Sequence, residues 1–224
     1  MTFSLVGRCE RTGMVGTVVS SSSPAVAARC AHARAGAGAA ASQNVTDPRL
    51  GPAVLDLMAA GRPAQQAVDA ALAKASGAAY RQLTAVDAQG STGAFSGAYT
   101  LGTNAVAHGA GAVAAGNLLA AEDVPEAMVA AFAADPGAHL GARLVAALRA
   151  GLDAGGEEGP VRSAGILVCD RVEWPVVDLR VDWDDDPVGR LADAWAVWQP
   201  QIADYVARAL DPGGSPSFGV PGDA

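Results

Sequence analysis

The stretch that decides the fold is MTFSLVGRCERTGMVGTVVSSSS, residues 1–23. Thr2 to Arg8 is apolar and β-prone, Glu10-Arg11-Thr12-Gly13 has turn chemistry, and Met14 to Ser20 is a second valine-rich run. β-Branched residues pack well on a pleated surface, and a polar tetrapeptide with glycine lets the chain reverse. The segment therefore reads as a β-hairpin that starts at residue 2. The chain after it, SSSSPAVAARCAHARAGAGAAASQ, is small and irregular at first, with a strand expected through Gly38 to Gln43.

Outward from the hairpin, helices announce themselves by their starts. Asp47-Pro48 places an N-cap acceptor before a proline at the first helical position. Leu50, Val54, Leu57 and Met58 then form one apolar stripe that ends at Gly61, and a second helix opens at Pro63 and ends before Gly77. Strands are expected at Tyr80–Asp87, Thr92–Tyr99 and roughly Gly109–Asn117, followed by helices over about Val124–Ala134 and Leu140–Ala150. Gly155-Gly156-Glu157-Glu158-Gly159 reads as a loop. Ser163–Cys169 and Val176–Val181 are the last two strands. Asp186-Pro187 repeats the cap signal before a helix carrying Leu191, Trp195, Trp198, Ile202 and Val206, with a bend expected at Pro200.

The order is ββ(β)–αα–βββ–αα–ββ–α. Hairpins alternate with helical pairs, which disfavours a doubly wound parallel sheet and its single-helix crossovers. The pattern suits an α+β, four-layer αββα sandwich: two antiparallel sheets face to face, each covered outside by helices. Residues 1–210 are expected to form one domain, with 211–224 as a Pro/Gly-rich tail.

Composition narrows the partners. Half of the residues are hydrophobic, yet only 5% are aromatic, while 52 are Ala and 27 Gly. The core must therefore be packed from small side chains with backbones close together. Net charge is −8 and pI near 4.7, with no basic stripe, so neither nucleic acid nor an anionic membrane surface is an expected partner. No apolar run is long enough for a spanning helix, and residues 1–10 do not read as a signal peptide. Cys9, Cys30 and Cys169 lack CxxC spacing and read as free thiols in a reducing cytoplasm.

Motifs with a known mechanism are absent: there is no GxSxG, HExxH or Walker loop. His32, His108 and His139 lack the local pairing of zinc ligands, and Asp182–Asp186 reads as a helix cap and first-turn acids. No cofactor or metal site is expected. What remains is position. Thr2 follows the initiator Met, and a small second residue permits Met removal. That would expose a threonine with a hydroxyl and a free α-amine, whose ordinary pKa near 7.7–8.0 lets it accept the hydroxyl proton at neutral pH.

An N-terminal strand that starts with Thr, a hairpin and the αββα order together resemble the N-terminal-nucleophile (Ntn) hydrolase fold. The segments MTFSLVGR, SSSSPAVAARCAHARAGAGAAASQNVTDPRLGPAVLDLMAAG, YRQLTAVDAQG, GNLLA, SAGILV and VDLRVDWDDDP resemble, in order, the bacterial family catalogued as domain of unknown function 1028. The likeness runs from Met1 to about Trp198. It implies an Ntn-hydrolase-like fold with Thr2 at the nucleophile's place. Proteasome-like relatives add an Asp at the end of the second strand and a Lys on the third. Here the second strand ends in Ser20–Ser23, and the single lysine, Lys74, falls on an outer helix.

The expected activity is that of a cytoplasmic hydrolase acting on an amide bond of a small molecule or short peptide, with Thr2 as nucleophile. Asn44 and Asn117, at expected strand ends, are candidate oxyanion donors, with turn capping as the structural alternative. Ser21 could bind an anionic group, and Arg29 or Arg34 could supply positive charge. The alternative is a noncatalytic small-molecule-binding or partner protein that keeps the fold. A further arrangement would build the site from His32, Arg29, Arg34 and the serine run. Because the fold commonly assembles, a homo-oligomer through Trp or Leu of the last helix is also expected.

Overall fold

In the computed structural model, residues 1–217 and 219 are described. The hairpin forms as the sequence implies, with β1 at Thr2–Arg8 and β2 at Val15–Ser21. After it come α1 (Ala27–Cys30), β3 (Ala31–Arg34) and β4 (Gly38–Asn44), then the helical pair α2 (Leu50–Ala59) and α3 (Ala64–Leu72). Four strands follow: β5 (Arg81–Asp87), β6 (Thr92–Ser96), β7 (Asn104–Gly109) and β8 (Ala112–Asn117). The chain continues through α4 (Val124–Ala134), α5 (Leu140–Asp153), β9 (Ser163–Cys169), β10 (Pro175–Val181), α6 (Pro187–Trp198) and α7 (Ile202–Leu210).

Every strand pairing is antiparallel. One sheet has six strands in the order β10-β9-β2-β1-β8-β7, and the other has four in the order β3-β4-β5-β6. Helices α4, α5 and α6 cover the six-stranded sheet, and α2 and α3 cover the four-stranded one. The chain is thus an α+β sandwich of two antiparallel sheets between helical layers.

Alternation along β1 sorts its side chains by layer. Phe3 and Leu5 join Met128, Phe132, Leu144 and Leu148 under the helices, where the large side chains of the protein collect. Val6 faces the other way, among Val15, Ala39, Ala41, Val86, Val113 and Cys169 between the sheets. That inner layer is built from small residues, which is where the alanine excess goes. Gly7 shows how close the outer layer also comes: a Cβ there would lie 2.6 Å from the Phe132 ring.

Four expectations need correction. The segment read as irregular contains a helical turn and the short strand β3. Asn104–Gly109 is a strand paired along its length with β8, so the third run is a hairpin turning at Ala110-Gly111. Its side chains are half exposed at the sheet edge, and NAVAHG carries only one β-branched residue, so neither apolarity nor propensity marks it. Asp47 does not cap α2. It accepts hydrogen bonds from the Arg49 amide and guanidinium, and the helix starts at Leu50. The bend at Pro200 is a 3-10 turn, Gln199–Gln201, between α6 and α7. Of the expected tail, residues 218 and 220–224 lie outside the described residues. In the described part Arg208 donates to the carbonyls of Pro216 and Ser217.

Candidate functional site

β1 and β2 are the two central strands of the large sheet, and their polar ends form a row. Thr2 lies opposite Asn117 of β8, Asn117 opposite Asn104 of β7, and Ser21 opposite Ser163 of β9. Ser4 and Asn117 point toward the four-stranded sheet, as their bonds show, and Thr2, directly opposite Asn117 in register, shares their side. Ser4 Oγ donates to Gln43 Oε1 at 2.7 Å. Gln43 Nε2 donates to the Ala115 carbonyl at 3.1 Å and to Gln82 Oε1 at 2.8 Å. Gln82 Nε2 donates to the Gly116 carbonyl and to Ser96 Oγ, each at 3.0 Å. Two main-chain carbonyls therefore set the direction of the whole network, since a carbonyl can only accept.

That direction decides what Asn117 offers. Its Nδ2 donates to Gln82 Oε1 at 3.0 Å, while its Oδ1 is buried without a partner. As placed, Asn117 presents a free acceptor beside Thr2, and its amide donor is already engaged. Asn44 ends β4 in a left-handed conformation, φ 69°. Its Nδ2 donates to the carbonyls of Tyr80 and Tyr99, and its Oδ1 accepts from the Leu101 amide, so the side chain ties three loops together. This is the capping geometry.

Thr2 is 5% exposed, with Met1 lying over it. The Thr2 hydroxyl donates to the Met1 carbonyl, and its oxygen lies 3.3 Å from Ser21 Oγ. Ser21 Oγ donates to the same carbonyl at 2.5 Å. Behind Ser21, the Ser23 hydroxyl is at 2.7 Å, and Arg29 Nη2 donates to Ser23 Oγ at 2.8 Å. Arg29 is itself anchored on the carbonyls of Pro24 and Ala25. A chain of donors thus runs from a guanidinium through two serines to a carbonyl oxygen adjoining Thr2.

The loop after α5 closes the other side. The Gly159 backbone lies against the Met1 side chain, the Arg162 amide donates to the Ser21 carbonyl, and Glu158 N donates to the Leu118 carbonyl. This buries Glu157, 4% exposed, with Ser22 beside its carboxylate but short of full hydrogen-bond geometry. Burial pushes its pKa up to about 7, while the positive Met1 amine and neighbouring Ser22 work against the rise. Glu157 was not legible in the sequence, where GGEEG reads as a solvated loop. Gln43 and Gln82 left a fainter signal, as long amides inside otherwise apolar strands.

The remaining candidates sit elsewhere. Arg34 is at the far end of β3 and forms an exposed ion pair with Asp56 at 2.8 Å. The ring of His32 packs on Gly51 of α2, where any side chain would overlap it, and its Nε2 is 3.3 Å from the Arg29 carbonyl. Burial lowers the His32 pKa, with that carbonyl opposing. Of the arrangement built on His32, Arg29, Arg34 and the serines, Arg29 and the serines come together, His32 reaches only the Arg29 backbone, and Arg34 stands apart.

These features define an antiparallel αββα protein whose central strand begins at a threonine set among hydroxyl donors. Residues 2–191 match the family of unknown function DUF1028, and the chain belongs to that family. It is similar to protein SPO2555 from Silicibacter pomeroyi, a crystal structure of the same family. The two share 32% identity and a TM-score of 0.82, over 91% of this chain and 89% of that one. No curated protein matches. Among the described residues, no helix is long and apolar enough to cross a membrane.

Proposed function

We propose that the protein is an N-terminal-nucleophile amide hydrolase acting on a small molecule or short peptide, with Thr2 as nucleophile once Met1 is removed. The single observation that carries the reading is the Met1 carbonyl, which accepts hydrogen bonds from both the Thr2 and Ser21 hydroxyls. Removal of Met1 would leave Ser21 Oγ, backed by Ser23 and Arg29, free to donate to a substrate carbonyl bound beside Thr2.

In the proposed cycle the α-amine of Thr2 takes the hydroxyl proton as Oγ bonds to the substrate carbonyl carbon. Ser21, supported by Ser23 and Arg29, donates to the developing oxyanion. The C–N bond breaks, the departing nitrogen receives the proton, and an acyl ester remains on Thr2. Water then hydrolyses the ester and restores the hydroxyl. Glu157 and Asn117 Oδ1, both acceptors at this end of the sheet, would orient the α-amine. Ser21 thus takes the oxyanion role first assigned to Asn44 and Asn117.

A screen of amide substrates with purified full-length protein tests this. Turnover is expected from the Met1-free chain, to persist in Thr2→Ser, and to fall by roughly 10³-fold or more in Thr2→Ala. Equal turnover in Thr2→Ala removes the proposal.

A second reading, a noncatalytic small-molecule-binding protein, is favoured by the lack of a lysine at the Thr2 end, the single lysine, Lys74, following α3 on the outer layer. It requires Met1 to stay in the native protein and ligand binding to be unchanged in Thr2→Ala. Assembly into a homo-oligomer has a candidate face at the C-terminal helices, where Val197 and Leu210 are exposed; light scattering would measure it. Activity would be in the cytoplasm, and fractionation of the source cells would test this.

A further inference from the structure

At the end of β1 opposite Thr2, the turns of three hairpins and the α4–α5 connection surround a cavity of about 720 Å³. Its wall includes Arg8, Arg11 and Arg143, with Glu10 the one acid among the lining residues. We propose that this cavity binds a small-molecule phosphate monoester through the guanidinium groups of Arg8, Arg11 and Arg143.

Charge distribution is the first argument. The protein carries a net charge of −8, yet this wall carries three cations against one anion. Among the described residues, the ion pairs engage Arg34, Arg49, Arg162, Arg180 and Arg190, and none of the three cavity arginines. Three like charges against a single counter-charge repel one another, and a bound anion relieves that repulsion.

The groups are also held in place. Arg143 is only 8% exposed; its Nε donates to the Phe132 carbonyl at 2.9 Å, and its guanidinium carbon lies 3.9 Å from the centre of the Phe132 ring. Arg11 is fixed by a bond from Nη2 to the Gly137 carbonyl at 3.1 Å. Arg8 lines the same wall, and its Nε is buried behind it without a hydrogen-bond partner. A guanidinium presents its donors in a planar fork that matches phosphate oxygens.

The ligand class follows from charge and lining. Three arginines and Glu10 leave about two positive charges, and a phosphate monoester carries about −1.5 to −2 at neutral pH. Ala110, Ala133 and Pro136 supply apolar wall for the organic part, and the volume falls in the range of small-molecule sites. Arg8 and Thr2 are six strand residues apart, about 20 Å, so this is not the Thr2 site.

Calorimetric titration of the purified full chain with phenyl phosphate, inorganic phosphate and benzoate tests the proposal. Saturable one-to-one binding of phenyl phosphate is expected, tighter than either other probe. Arg11→Ala, an exposed position whose loss spares the core, should weaken it at least tenfold. Glu10→Gln should tighten it, and Arg49→Ala should leave it unchanged. Thermal melts of Arg143→Met separate loss of binding from loss of fold. No saturable binding, equal affinity for the three probes, or indifference to Arg11→Ala would overturn the proposal.

Discussion

The two ends of β1 are made of one strand and meet opposite demands. At the Thr2 end the sheets are joined by a continuous polar network, the surface is sealed by Met1 and the 155–162 loop, and the unmatched groups are acceptors, Glu157 and Asn117 Oδ1. At the Arg8 end the inner layer is Val and Ala, a cavity opens among three arginines, and the one unmatched buried group is a cationic donor, Arg8 Nε. A native interior satisfies nearly all of its buried polar groups, so the exceptions at the two ends of β1, which are accompanied elsewhere by others at Thr17, Arg81 and Thr84, ask for partners. Those partners differ in sign. The Thr2 end calls for a donor such as a free α-amine, and the Arg8 end for an anion.

Substitutions can break this contrast, the largest effect first. Phe132 fills the space over Gly7 and stacks on Arg143, so Phe132→Ala should cost about 3–5 kcal/mol in urea unfolding. It should also loosen the Arg8 end more than the Thr2 end, read as faster amide exchange around Arg143 than around Ser21.

Glu157 sharpens the contrast through pH. Its carboxyl sits near pKa 7 in the folded chain, against an ordinary 4.5. The folded state therefore holds its proton more tightly than the unfolded state. In a chain that keeps Met1, stability is fullest below pH 4.5, falls as pH rises to 7, and is flat above. Glu157→Gln should abolish that slope and stabilise the chain at pH 8 by up to about 3 kcal/mol, measured by denaturation across pH. An unchanged slope would mean that the carboxylate is already compensated.

Ser21→Ala should lower turnover about 10²-fold with little change in melting, the signature of a lost oxyanion donor. A change in KM alone would assign Ser21 to ground-state binding instead. Asn44→Ala should do the reverse. It should leave turnover nearly intact and cost about 1–2 kcal/mol, because three loop hydrogen bonds and a left-handed backbone position depend on the asparagine.

Legibility in the sequence followed local signal strength. The hairpin of β1 and β2, the pair β9–β10, and helices α2 to α6 were visible because their apolar periods are strong, and at α6 the expected Asp186 cap is present as well. β3 and β7 were not, since AHAR is four residues long and NAVAHG is a half-exposed edge that lacks a β-branched run. Thr2 could be found from its position alone, and Ser21 from an unusual run of serines. Glu157 could not be found. Its burial comes from the loop folding across Met1 and Leu118, and nothing local in GGEEG encodes that contact. The same reasoning separates Asn44 from Asn117: both end strands, yet only the pairing of β8 with β1 brings one beside Thr2.

The central claim is that Thr2 acts with its own α-amine, and intact-mass spectrometry of the native protein, taken with turnover of the same sample, tests it most directly. The account predicts a mass lower by one methionine residue, with activity rising in proportion to the Met1-free fraction. Quantitative retention of Met1 in an active preparation would contradict it.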